Sequence, residues 1–90
     1  MTIEQVLEVI TGTTIAVMTQ MPEKKGAWLQ GLSQWLSQFK SQGLDELAVY
    51  ADICCRLVEG TNPDDLTPQV PGELQQAWQE ILAGISGKNV

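Results

Sequence analysis

The 90-residue chain contains no histidine. That removes the commonest general base, the commonest metal ligand and the side chain that ordinarily changes charge near neutral pH. Positive charge is scarce: five Lys and Arg stand against eleven Asp and Glu, a net charge of −6. Nucleic acids and anionic lipid surfaces are bound through clustered bases, and the only adjacent basic pair is Lys24-Lys25. Neither is an expected partner. Long apolar runs are missing too. Ile15 to Met18, for example, is an unbroken stretch of only four residues, against about 20 for a bilayer span. No basic segment opens the chain as a signal peptide would. Cysteine is limited to the neighbours Cys54 and Cys55. On a helix adjacent side chains diverge by about 100°, which a disulfide between them does not tolerate. Reduced thiols in a cytoplasmic protein are the expectation.

What is present describes a globular chain. It is 43% hydrophobic and 18% charged, close to the globular average in the first respect and lightly charged in the second. Ile, Leu, Val and Phe supply 24 of the 90 residues, above the range of disordered sequences. The length suits a single domain, residues 1–90, with one modest core.

Apolar residues recur at helical spacing. Thr2 followed by Gln5 fits a capping box, and Ile3, Val6, Leu7, Ile10, Val17 and Met21 form a stripe behind it. Thr11-Gly12-Thr13-Thr14 holds poor helix formers. A strand at 13–18 would have no partner for its backbone groups, so one helix over residues 2–20 is expected, with a bend allowed near Gly12. Pro22 disfavours helical geometry at Met21 and opens a second helix, 22–42. Trp28, Leu29, Leu32, Trp35, Leu36 and Phe39 form its apolar stripe, and Gln and Ser occupy its opposite face. Gly43 is a natural stop. A third helix, 45–59, opens with Asp45 as a candidate cap. From Leu47 to Val58 only Asp52 and Arg56 interrupt the apolar residues, which marks this helix as the most buried. Gly60 ends it. Residues 61–72 carry Pro63, Pro68 and Pro71 and read as a connector, with Leu66 and Val70 pinned to the core. Leu74, Ala77, Trp78, Ile81, Leu82 and Ile85 define a last helix, 71–84, stopped by Gly84 and Gly87, with a frayed end beyond. The expected fold is all-α, a compact four-helix domain.

Tests for chemistry fail one by one. Two cysteines without histidine cannot complete a structural zinc site. Cys54 falls on the core stripe with Leu47, Ala51 and Val58 and Cys55 at its edge, so both are read as packing residues. Glu4 and Glu8 share one helix face and read as a solvated surface. Asp52 and Arg56 read as an i,i+4 ion pair. An EF-hand register begun at Asn62 puts Thr67 where glycine is required and meets Pro68 and Pro71. Gly26 and Gly31 have a phosphate-loop spacing but lack the following lysine. Serine nucleophiles have no histidine partner. No catalytic residue, cofactor or metal site is assigned, and no enzyme is expected.

Protein–protein contact is the remaining expectation. Val9, Ile15 and Ala16 lie off the main stripe of the first helix. Val49 and Ile53 lie opposite the main stripe of the third. A small domain has difficulty covering both sides of two helices, and uncovered apolar area marks contact sites. These five residues are the candidate interface of a cytoplasmic interaction module, most simply a homodimer. The alternative is an acidic inhibitor or antagonist that occupies a basic site on its target protein.

Overall fold

The computed structural model describes residues 2–86. The expected fraying beyond Ser86, and the role of Gly87, lie outside the described residues.

The first helix, α1, spans Ile3–Thr19 without interruption at Gly12. Thr2 caps it as the spacing implies. Its hydroxyl accepts from the Gln5 backbone N–H at 3.2 Å, while the Gln5 side chain accepts from the Thr2 N–H at 2.9 Å. Two otherwise orphaned donors are satisfied reciprocally. After Met21 a 3₁₀ turn over Pro22–Lys24 precedes α2, Lys25–Ser41. The turn exists because proline suits a first helical position and has no N–H to leave unpaired. The next helix, α3, spans Asp45–Glu59. Its cap is Leu44, without a side-chain hydrogen bond, rather than Asp45. Gly43 and Gly60, at φ 76° and 109°, hold the left-handed conformations that close α2 and α3.

The architecture departs from four helices in the connector. Asn62 accepts from the Asp64 N–H at 2.9 Å and starts a one-turn helix, α4, Pro63–Leu66. 3₁₀ turns follow at Thr67–Gln69 and Gly72–Leu74. The segment avoids being a loose loop because side chains tie it down. Thr67 donates its hydroxyl to the Pro63 carbonyl at 2.9 Å and accepts from the Trp78 indole N–H at 2.8 Å. The Gln75 amide donates to the carbonyls of Thr67 and Val70. The last helix, α5, spans Gln75–Ser86. It therefore starts later than residue 71 and runs through Gly84, which is no stop. No strand occurs among the described residues.

In the packing, α2 lies along α3 and α1 along α5, with fewer contacts between the two pairs. The radius of gyration is 12.2 Å, about the value for a compact chain of this length. The core is centred on α3, where Leu47, Ala48, Tyr50, Ala51, Ile53, Cys54, Leu57 and Val58 are all buried. Leu66, Val70 and Leu74 close it from the connector, and Trp78 and Ile81 from α5. Three hydroxyls sit inside it. Thr11 and Tyr50 share a hydrogen bond of 2.7 Å, and Thr14 accepts from the Trp28 indole N–H at 3.0 Å. No buried side-chain polar atom among the described residues lacks a partner.

Candidate functional site

The five residues expected to form an interface are dispersed by the fold. Ile53 is 1% exposed and belongs to the core. It is buried although it lies toward the side of α3 away from Leu47 and Cys54. The side of α3 opposite Leu47 and Cys54 reaches solvent through Asp45, Val49, Arg56 and Glu59, with Asp52 half-buried among them and Glu46 exposed beside them. Val49 remains 42% exposed on that side, between charged neighbours, beside the Asp52–Arg56 ion pair of 3.1 Å. Val9 is 40% exposed on α1. Ala16 is half-buried, and Ile15 is half-buried against α5, where it meets Gly84.

Both cysteines are free. Cys54 is buried and Cys55 half-buried. Burial pushes the Cys54 thiol up to about 12, against a lowering contribution from the Thr14 hydroxyl. Burial, followed by Asp52 and Glu59, pushes Cys55 up to about 11. Both are protonated thiols at neutral pH, whereas nucleophilic or metal-binding cysteine must be thiolate. No group of three or more His, Cys, Asp or Glu able to hold a metal occurs among the described residues. No described helix is long and apolar enough to cross a membrane.

A broad, open groove lies between α1 and the α5 region. Glu4, Leu7, Glu8, Thr11, Gly12 and Ile15 line it from α1, and Glu73, Gln76, Ala77 and Glu80 from the facing side. Each set follows the i, i+3, i+4, i+7 pattern that places residues along one helix face. Two such faces side by side create the trough, with a volume of about 580 Å³. Leu7, Ile15 and Ala77 supply its apolar floor, and four glutamates its rim. No Lys or Arg lines it. Glu80 also acts inward: after burial and Cys54, its charge adds to the forces that raise the Tyr50 phenol above its ordinary value, against the lowering effect of the Thr11 bond.

Gly12 distinguishes this groove from an ordinary helix–helix seam. A glycine inside a helix costs about 1 kcal/mol relative to alanine. A Cβ at Gly12 would meet nothing within 4 Å, so packing inside the domain does not require it. Gly12 is exposed along the groove, and its missing side chain leaves open space there.

Sequence reasoning placed Glu4 and Glu8 on one face and read them as solvated surface. It missed Glu73 and Glu80 as their counterparts. The seven-residue spacing of the second pair was visible, but only the pairing of α1 with α5 brings the two pairs to one trough.

No protein-family model, curated protein or solved structure matches the chain.

Proposed function

We propose that the protein is a non-enzymatic protein-binding domain whose α1/α5 groove receives a basic, amphipathic helical segment of another protein. It would thereby act as an acidic inhibitor or antagonist. The carrying observation is the groove itself: an apolar floor, four rim carboxylates and no base among its lining residues. A helix with an apolar stripe flanked by Lys or Arg matches it in shape and charge, a recurrent mode of helix-in-groove recognition. Gly12 supports the same reading through the space it leaves. Buried Ile53 and half-buried Ile15 weigh against self-association through the five residues first singled out. We place this activity in the cytoplasm, where two free adjacent thiols stay reduced.

The test uses a synthetic helical peptide with a leucine stripe flanked by lysines, titrated into the protein and followed by fluorescence anisotropy. Two charge-matched variants are compared, Glu8→Lys/Glu80→Lys in the groove and Glu59→Lys/Asp64→Lys away from it. The groove variant should bind at least about tenfold more weakly, and the distant variant nearly as well as the unaltered protein. Added salt should weaken binding. Equal losses in both variants, or no binding to the unaltered protein, would overturn the reading.

A further inference from the structure

We propose that residues 62–74 form a latched strap that opens as a unit while the α2/α3 pair stays folded, and that its closed position completes the acidic rim of the α1/α5 groove. The observation is the way this segment is held. Its backbone hydrogen bonds are local, from the N–H of Asp65 to Asn62, of Thr67 to Pro63, of Val70 to Thr67 and of Leu74 to Pro71. Among the described residues no backbone hydrogen bond ties residues 62–71 to α1, α2, α3 or α5. One helical turn and two 3₁₀ turns are too short to be stable by themselves. Side-chain contacts therefore seat the segment on the domain. Leu66, Val70 and Leu74 are buried as apolar plugs. The polar fixings come from α5. The Trp78 indole N–H donates to the Thr67 hydroxyl at 2.8 Å, and the Gln75 amide donates to the carbonyls of Thr67 and Val70 at 3.1 and 3.0 Å.

A segment held in this way belongs to the low-stability end of a fold. Its release breaks the plugs and the latch bonds. It leaves in place the packing of α2 along α3 and the close approach of Ile15 to Gly84 that holds α5 against α1. Pro63, Pro68 and Pro71 each fix a backbone angle, so release gains little entropy and the strap recloses as a preformed piece. Its effect on the groove rests on the binding function proposed above. Glu73, at the end of the strap, is one of the four rim glutamates. With the strap seated, Glu73 and Glu80 face α1. With it released, Glu80 stands alone there. A basic segment in the groove then favours the closed strap, and closure favours the basic segment by the same factor.

Hydrogen exchange followed by NMR tests both halves. Without peptide, the amides of Asp65, Thr67, Val70 and Leu74 should exchange as one group, at least about tenfold faster than those of Tyr50 to Cys54 in α3. Low urea should speed exchange in α3 and barely change it in the strap, whose opening exposes little surface. Leu32→Val, in the buried face of α2, should speed α3 exchange about fivefold and leave the strap rates unchanged. Gln75→Ala removes two latch bonds and should speed strap exchange at least about fivefold. Strap amides that exchange at the α3 rate, or that quicken with Leu32→Val, overturn the proposal. The lysine-flanked leucine peptide, at saturation, should slow strap exchange about threefold, and Glu73→Gln should abolish that slowing. A peptide that binds without slowing the strap, or slows it equally in Glu73→Gln, overturns the link to the groove. A peptide that does not bind overturns the groove function and the link with it, while the peptide-free rates still decide the strap.

Discussion

A Cβ added to Gly84 would stand 2.8 Å from both Cδ1 and Cγ2 of Ile15. Real Cβ atoms do not approach others so closely, so α1 and α5 run together at this point because residue 84 has no side chain. Gly84 lies within α5 and accepts the helical penalty of glycine to allow the close approach. The α1/α5 groove owes part of its geometry to this contact, for Ile15 lines it.

Gly84→Ala should therefore destabilise the domain by about 1–2 kcal/mol, the overpacking cost less the gain in helix propensity. In an Ile15→Ala background the same substitution should become neutral or stabilising. Urea unfolding of the four proteins of this cycle measures the coupling. Gly12→Ala is the contrast. With nothing within 4 Å of its Cβ, it should stabilise by about 0.5–1 kcal/mol.

Ile53 and Val49 lie one helical turn apart on α3 yet should respond oppositely to charge. Ile53→Lys buries an ammonium at a site 1% exposed and should unfold the chain or cost at least about 3 kcal/mol. Val49→Lys, exposed and flanked by Asp45 and Asp52, should change stability by less than about 0.5 kcal/mol. Circular dichroism with thermal melting separates the two, at about 4–8 °C per kcal/mol for a domain of this size.

The Thr11–Tyr50 hydrogen bond, 2.7 Å long and buried, should show the asymmetry of buried polar pairs. Tyr50→Phe leaves the Thr11 hydroxyl without its partner and should cost about 1–3 kcal/mol. Adding Thr11→Val removes the orphan and should recover much of the loss. Denaturant midpoints at constant m-value give the comparison.

Stability should fall in alkali. Tyr50 and Cys54 are raised mainly by burial, Cys54 to about 12 from an ordinary 9.0. For a folded pKa above the unfolded one, the neutral group favours the fold fully below the unfolded pKa. That contribution is lost as pH rises toward the folded value. Unfolding free energy should thus be flat near neutrality with respect to these groups and decline above about pH 9, by up to about 1.4 kcal/mol per pH unit for each ionising group. Cys54→Ser should not reproduce the thiol's share of this decline. Cys54 should also resist thiol reagents at neutral pH, while half-buried Cys55 reacts slowly.

Local features were legible in the sequence because their causes are local. The Thr2–Gln5 capping box, the bounds of α3 at Asp45 and Glu59, the Gly43 and Gly60 stops and the Asp52–Arg56 pair each depend on residues within one turn. Side-chain periodicity likewise marked Leu47, Ala51, Cys54 and Val58 as inward, whatever lay opposite them.

Tertiary structure decided what periodicity leaves open. A helix apolar on both sides, such as α3, can be enclosed or can offer one side to a partner. The neighbours settled this by enclosing Ile53 while leaving Val49 in water. A glycine near a helix end can be a stop or a point of close approach, and Gly84 became the latter because Ile15 lies against it. Glu4 and Glu8 on α1 line one groove with Glu73, in the 3₁₀ turn before α5, and Glu80 on α5 only because these segments pair. Local energetics determined where the helices lie along the chain. Which faces meet depended on long-range packing, where small differences in side-chain volume choose among arrangements with similar burial.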